Sequence, residues 1–341
     1  MNNILQKMMR DSTWQLIGGM LAAILIFGLI ASEFNIGSFS STVLNGMLRA
    51  MLLFLVAAGL SLIFGLMDIL NFAQGGYFMV GAYVAYDFQH PDAGSLTIGE
   101  AIPDPTLRFF VAIIFALIVG GILGYILERF FLRPLYDRPL FQLVLTFGAS
   151  LVFLEGVKFI WKTVPYTWRE DTIFQANKFN LFGTTFELYR LFIIVMGLLL
   201  IVLISLLLRR TRIGIIIRAG VEDPEMVRAL GINVRAVFTL VFTIGCAIAA
   251  FGGAVAAPFL QVHIGLGNLY LLGAIAVIVL GGLGSYEGTA IASIIVGLAW
   301  VAMDRFSVSY GIGAVWGDLT PMLMLAMVLL LRPKGLFGEE R

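Results

Sequence analysis

Charged residues are scarce in this chain of 341 residues, at 13% against about 25% in an average soluble domain. Cysteine occurs once and histidine twice, which excludes an intrachain disulfide and a cluster of cysteine or histidine metal ligands. The net charge of +1 provides no basic field for nucleic acid. The sequence contains no paired-aspartate motif, no H-E-x-x-H and no Ser/His set, so we expect no catalytic residues, no metal and no cofactor.

Long apolar runs stand where the charges are missing. Hydrophobic residues make up 60% of the chain, and residues 50–67, 111–127, 191–208 and 236–261 contain no charge at all. A bilayer core of about 30 Å requires about 20 apolar residues in a helix. The sequence therefore predicts an all-α polytopic membrane protein, with residues 1–341 forming a single transmembrane domain.

Ten membrane segments are predicted, transmembrane or re-entrant. They cover residues 14–31, 42–66, 72–87, 108–128, 140–160, 190–208, 236–257, 269–284, 288–303 and 318–332. Segments 72–87, 269–284 and 288–303 are short for a full crossing, which is typical of transporter helices near a central pathway; tilted or re-entrant segments are the alternative. The first segment is longer than a signal-peptide core and no A-x-A-like site follows it, so we interpret it as a retained helix.

Lysine and arginine set the predicted orientation. Three arginines follow segment four, six lie within residues 209–235, and Arg332, Lys334 and Arg341 lie in the tail. Positive residues concentrate on the cytoplasmic side of membrane proteins. We therefore expect both termini in the cytoplasm and residues 88–107 and 161–189 outside.

A short internal match predicts a repeat. Residues 78–82 (Phe-Met-Val-Gly-Ala) in segment three are similar to residues 270–274 (Tyr-Leu-Leu-Gly-Ala) in segment eight. The two lie five segments apart, an odd number, so the two halves would run in opposite directions across the membrane. This is the five-plus-five inverted repeat of many transporters, although such patterns also recur by chance in membrane helices.

A break separates segments two and three. The apolar run stops at residues 68–71, and a glycine-rich helix with Asn71 and Gln74 follows. Polar groups at such a break often line a pathway. An interfacial turn in which Asn71 caps segment three explains the pattern equally well.

The loop 209–235 contains the signals of a short helix at about 224–230. Asp223 suits the N-cap, Pro224 the first helical position and Gly231 the C-terminal cap. Its expected apolar face consists of Met226, Val227 and Leu230. Two turns are marginal alone, so this helix needs a binding surface, either on a partner or on its own bundle.

The glycine-rich stretch Gly281-Gly282-Leu283-Gly284-Ser285 resembles a phosphate-binding loop only superficially. No Gly-Lys-Ser/Thr follows it and no strand is predicted before it. We expect a tight cytoplasmic turn between segments eight and nine, without nucleotide binding.

Together these stretches resemble the permease family of high-affinity branched-chain amino acid ABC importers. The resemblance rests on residues 59–83, 218–233 and 281–285 and on the ending 332–338. The Asn71-Phe-Ala-Gln-Gly element is more similar to the first of the two permease subunits than to the second. That subunit more often has histidine where this chain has Gln74, which leaves the substrate open.

The resemblance implies an assembly in a bacterial or archaeal cytoplasmic (inner) membrane, surrounded by lipid. A second homologous permease would complete the pathway, two ATP-binding subunits would bind below, and an extracytoplasmic substrate-binding protein would deliver the substrate. ATP would not be bound by this chain. Contact with the ATPase would fall on Glu222, Asp223, Met226, Ala229, Leu230 and Gly231. If segments two, three, seven and eight line the pathway, then Asn71, Gln74, Gly81 and Gly273 lie near it.

Two alternatives to a branched-chain amino acid importer remain: other substrates, and a secondary transporter driven by an ion gradient. Urea, short amides and simple sugars are the alternative substrates of related permeases. A standalone secondary transporter usually has acidic groups at mid-membrane, but here Glu155 is expected to pair with Lys158 near a segment end. Arg49, about two turns into segment two, is expected to reach outward. An uncharged interior is therefore predicted, and it favours an ATP-driven pathway.

Overall fold

The structure, a computed structural model, describes residues 2–91, 98–168, 173–222, 224–313 and 315–338. The helices are α1 Asn2–Ala31, α2 Ile36–Met67, α3 Gln74–Gln89, α4 Pro105–Ile126, α5 Pro139–Trp161, α6 Ile173–Ala176, α7 Leu188–Arg210, α8 Arg212–Glu222, α9 Pro224–Ala229, α10 Val234–Ala256, α11 Leu266–Gly281, α12 Tyr286–Ser309 and α13 Val315–Leu331. Helix α4 continues through a π-helical stretch, Leu127–Leu132, and short 3₁₀ turns cover Ile98–Ala101 and Arg133–Leu135. Strands β1 Lys178–Leu181 and β2 Thr184–Glu187 form an antiparallel hairpin.

All ten predicted segments coincide with helices. Within the described residues, seven helices are long and apolar enough to cross a membrane: Thr13–Ala31 of α1, α2, α4 with its extension, α5, α7, α10 and α12. The predicted all-α polytopic membrane protein is thereby confirmed. The expectation that segment 288–303 is short was wrong, because α12 has 24 residues. The short helices are α3 and α11, as predicted, and also α13 with 17 residues.

The core of the bundle consists of α2 and α3. Every residue of α3 is buried, and so are residues 50–63 of α2. Helices α4, α5 and α7 surround this core and expose large apolar side chains such as Ile118, Val144 and Val202. Apolar exposure on the outer helices is what contact with lipid requires, since a membrane protein turns apolar residues to the bilayer.

The two halves pack in a reciprocal way. Helix α4 packs along α10, as its counterpart α12 packs along α2, and α3 contacts α10 as α11 contacts α2. The short helices α3 and α11 meet at their N-terminal ends, where Gly75 approaches Leu271 and Gly267 approaches Met79. The rings of Phe78 and Tyr270, equivalent in the sequence match, are 5.2 Å apart. This reciprocal packing is consistent with the predicted inverted repeat, which stays a prediction.

The bundle has two distinct ends. The hairpin side carries β1 and β2, an addition to the predicted all-α fold, together with a bridge between Tyr166 and Val262. The opposite end, here called the basic side, carries residues 129–138, 209–222, 224–235 and 332–338. There the Tyr136 ring contacts Phe238 and Arg209 pairs with Glu287. The arginine-rich segments therefore gather at one end, as the predicted topology requires.

Candidate functional site

The break between α2 and α3 is a compact turn on the basic side of the core. Asp68 ends α2 in the left-handed conformation (φ 57°), and its N–H donates to the carbonyl of Phe64. Aspartate tolerates this conformation better than most residues. Asp68 remains exposed, whereas Asn71, three residues later, is completely buried. The chain thus turns inward at this point.

Asn71 and Gln74 form one buried hydrogen-bond network with α10. The Asn71 Oδ1 accepts from the N–H of Ala73 at 3.1 Å, and its Nδ2 donates to Gln74 Oε1 at 3.1 Å. The Gln74 Nε2 donates to the carbonyl of Gly245 at 2.9 Å. Asn71 therefore stabilises the start of α3, and Gln74 fastens that start to α10. The two buried side-chain amides thus have hydrogen-bond partners, as buried polar groups require.

Gly81 and Gly273 are sites of close helix packing. A Cβ added to Gly81 would lie 2.0 Å from the carbonyl oxygen of Ala250, and one added to Gly273 would lie 2.6 Å from Leu53 Cδ2. Gly81 and Gly273 are buried, like Asn71 and Gln74. All four residues predicted to line the pathway thus contact neighbours within this chain. Their pathway role stays a prediction.

The basic side presents two consecutive helices where one was predicted. Helix α9, Pro224–Ala229, matches the predicted helix, while α8, Arg212–Glu222, was not foreseen. Gly231 has φ +79°, which confirms its C-terminal capping conformation. Asp223, the predicted N-cap, lies outside the described residues, and Glu222 is the last residue of α8.

The apolar side chains of this segment point in two directions. Val227 is only 3% exposed, in a cleft lined by Leu66, Ile216, Val234, Val237 and Phe238. Met226 is 62% exposed and Leu230 69%, and Ala229 and Gly231 are exposed beside them. The prediction of one shared apolar face was therefore wrong, because Val227 anchors α9 to its own bundle. Met226, Ala229, Leu230 and Gly231, here called the coupling patch, remain at the surface.

The glycine turn after α11 is closed by the C-terminal tail. The N–H groups of Leu336 and Phe337 donate to the carbonyls of Leu280 and Gly281 at 2.9 and 3.0 Å. Ser285 caps α12 by accepting from the N–H of Gly288 at 3.1 Å. The tight turn is confirmed. Its contact with the tail was not predicted, since nothing in the local pattern indicates a partner fifty residues away.

A buried carboxylate lies beside this end of the bundle. Glu128 is fully buried and accepts a short hydrogen bond from the hydroxyl of Tyr136. Burial, and next this hydrogen bond, raise the pKa of Tyr136 well above its usual value. The phenol therefore stays protonated and ties the loop after α4 to the π-helical stretch.

Arg49 lies farther from the start of α2 than the sequence predicted. Helix α2 begins at Ile36 rather than 42, so Arg49 follows the helix start by about 20 Å at 1.5 Å per residue, near the middle of the helix. Its Nη1 donates to the Tyr270 hydroxyl at 3.2 Å, and its guanidinium carbon is 4.2 Å from the centre of the Trp300 ring. The expected position about two turns into the helix was therefore wrong, because α2 starts six residues earlier than predicted. The outward reach of Arg49 and the uncharged midplane stay predictions.

Comparison with known proteins places these features in a family. The chain is 28% identical to the high-affinity branched-chain amino acid transport system permease protein BraD of Pseudomonas aeruginosa, over 86% of this chain and 94% of that protein. It is 28% identical to the LivH permease protein of Salmonella typhimurium, over 88% and 96%. A probable LivH permease of Methanocaldococcus jannaschii is 27% identical, over 85% and 89%.

No solved structure matches the chain. The family model described as the permease component of the branched-chain amino acid transport system matches residues 42–331, a range that includes the helix break, the coupling patch and the glycine turn. The chain therefore belongs to the family of branched-chain amino acid transport system permease components.

Proposed function

We propose that this chain is a membrane-spanning permease subunit of a binding-protein-dependent ABC importer for branched-chain amino acids. The observation that carries the proposal is the family match across 42–331, because it runs from the second predicted segment into the tenth. The relatives from two bacteria and an archaeon are all named for branched-chain amino acid transport. Urea, short amides and simple sugars are the alternative substrates.

The coupling patch is the proposed contact with an ATPase subunit, together with Glu222 and Asp223. Two large apolar side chains, Met226 and Leu230, are more than half exposed, one helical turn apart. Such a pair fits an apolar groove on a partner. The chain contains no P-loop sequence, so ATP hydrolysis in the proposed importer would take place on another subunit. Val227 holds α9 in place from the inside, which lets force on the patch reach α2 and α10.

The remaining partners follow from the same architecture. A second homologous permease would complete the translocation pathway, two ATP-binding subunits would bind the basic side, and an extracytoplasmic substrate-binding protein would bind the hairpin side. The arginines of the basic side support a cytoplasmic position for that end and for both termini. The proposed location is a bacterial or archaeal cytoplasmic membrane. The pathway assignment of Asn71, Gln74, Gly81 and Gly273 belongs to this proposal.

The proposal is tested by measuring substrate uptake in cells that express the whole transporter. The chain is co-expressed with the permease, ATPase and binding-protein genes that neighbour its own, in cells that lack branched-chain amino acid uptake. Labelled leucine should accumulate, and accumulation should require both ATPase subunits and the binding protein. Preferential uptake of urea, acetamide or ribose would favour the alternative substrates. Accumulation that needs only an ion gradient would show a secondary transporter instead.

A further inference from the structure

The outer half of α2 carries a polar stripe that stops at Arg49. Ser41, Asn45 and Arg49 are spaced four residues apart, so they lie on one face of the helix, and each is partly accessible. Asn45 Nδ2 donates to Ser41 Oγ at 3.3 Å. Below Arg49, residues 50–63 are all buried. Arg49 is thus the deepest accessible residue of α2 on the hairpin side.

The two arginines along this stripe have different surroundings. Arg190, in the first turn of α7, donates to Asn45 Oδ1 at 2.6 Å, and its Nε is 3.9 Å from Glu187. Arg49 forms no ion pair with any carboxylate of the described residues. Its contacts are the Tyr270 hydroxyl and the face of Trp300. The Arg49 guanidinium is therefore surrounded by aromatic side chains and has no carboxylate partner among the described residues.

An arginine without a counter-ion near the middle of a membrane helix is costly, and such residues mark the sites of substrates or ions. Guanidinium has five N–H donors, and Tyr270 occupies one of them. Its planar fork matches a carboxylate in a bidentate hydrogen-bonded pair. The phosphate of a lipid headgroup offers similar chemistry, but it lies at the membrane surface, whereas Arg49 follows the start of α2 by about 20 Å. A carboxylate entering from the hairpin side fits this depth better.

We propose that Arg49 binds the α-carboxylate of the transported amino acid as it moves inward from the hairpin side. Tyr270 and Trp300 act as positioning residues. The Tyr270 hydroxyl accepts a hydrogen bond from the guanidinium, and the Trp300 ring packs against the face of the guanidinium. The inference rests on the proposed function and deepens it, since it selects substrates with a free carboxylate. Urea, amides and neutral sugars have no such group.

Restoring the charge chemically provides the test. The parent is the full complex with Cys246→Ala, which removes the chain's one cysteine. In that background, Arg49→Cys should lower leucine uptake by at least about tenfold, the scale of a lost charge-assisted hydrogen bond. Treatment with 2-aminoethyl methanethiosulfonate attaches a cationic side chain and should restore part of the uptake. The neutral methyl reagent should not, and reagent-treated parent complex controls for cysteines in the other subunits.

A second arginine serves as the matched control. Arg305 on α12 is exposed and donates to Ser38 Oγ at 3.1 Å, so Arg305→Cys removes the same charge without touching the stripe. Its uptake should equal that of the parent, with either reagent. Thermal unfolding and co-purification of all subunits establish that each variant assembles.

Three outcomes separate the hypotheses. Parent-level uptake by Arg49→Cys, or equal rescue by the methyl and aminoethyl reagents, overturns the role of Arg49 and leaves the proposed function intact. A parent complex that takes up no leucine refutes the proposed function itself. If Arg49→Cys does not assemble, Arg49→Lys is compared with Arg49→Gln per assembled complex. Equal uptake by those two variants overturns the carboxylate role, and higher uptake by the lysine variant supports it.

Discussion

Gly75 and Gly267 each occupy the space that a side chain on the other would need. A Cβ on Gly75 would lie 2.3 Å from the carbonyl oxygen of Gly267, and a Cβ on Gly267 would lie 2.5 Å from the carbonyl oxygen of Gly75. Gly75 and Gly267 lie at the starts of the short helices α3 and α11. At their contact backbone meets backbone, and only glycine fits.

Substitution at this contact should destabilise the bundle. Gly75→Ala and Gly267→Ala should each cost about 1–3 kcal/mol by overpacking, because the clashing atoms are backbone and cannot rotate away. Gly148→Ala on α5 is the control, since no atom lies within 4 Å of its added Cβ. That control should be neutral or slightly stabilising. Thermal unfolding in detergent measures the stability of all three variants. Equal stability of Gly75→Ala, Gly267→Ala and the control would contradict the close contact.

Substitutions in the coupling patch should impair assembly with the ATPase subunits without impairing folding of the chain. Met226→Asp and Leu230→Asp should leave the chain inserted but should abolish co-purification with the ATPase subunits and uptake, because an unpaired charge in an apolar groove costs several kcal/mol. Val227→Asp should instead lower the amount of folded chain, since Val227 is buried in its own bundle. Normal uptake and normal co-purification in the two patch variants would remove the patch from the coupling mechanism.

Orientation is tested by cysteine labelling in the Cys246→Ala background. Cysteine at Asn177, an exposed position just before the hairpin, should react with an impermeant maleimide added to intact cells. Cysteine at Asp137, exposed on the basic side, should react only after the membrane is permeabilised. The reverse pattern would invert the proposed topology.

The pathway prediction is best tested at Gly273. The atom that an added Cβ would meet there is Leu53 Cδ2, the end of a flexible side chain that can shift, so Gly273→Leu should fold. If α11 lines the pathway, this variant should keep ATPase activity and lose most uptake. Gly81→Leu faces a backbone carbonyl and should reduce assembly itself. Gln74→Ala should be milder, because a neutral hydrogen bond contributes about 0.5–1.5 kcal/mol. Normal uptake by assembled Gly273→Leu would place the pathway elsewhere.

The positions of the membrane helices were predictable because a helix that crosses lipid requires a long apolar run. All ten segments were found, since apolar runs of this length have no other stable place. The start of α2 was missed, although a local signal existed: Asn35 accepts from the N–H of Ser38 at 3.0 Å as an N-cap. Serines at residues 38, 40 and 41 concealed the helix by lowering its hydrophobicity. The prediction therefore placed Arg49 too close to the start of the helix.

Side-chain direction was less predictable than helix position. Helical periodicity groups Met226, Val227 and Leu230, but the burial of Val227 depends on Leu66 and Phe238, which are contributed by other helices. In the same way, the Asn71 side chain was expected either to cap α3 or to line a pathway. The N-cap residue of α3 is Ala73, without a side-chain cap, so the expected capping by Asn71 was not found. Asn71 instead accepts from the N–H of Ala73 and donates to Gln74, and the tertiary contact of Gln74 with Gly245 shows that this network joins α3 to α10.

The reciprocal packing of the halves also constrains how the chain is made. Gly120 and Gly124 of α4 fit against Ala250 and Cys246 of α10, yet α10 begins about a hundred residues after α4 ends. During synthesis, the first helices enter the bilayer before the surface that covers their glycines exists. We therefore expect insertion and folding to be separate steps for this protein, with the glycine face of α4 exposed to lipid until α10 has been inserted.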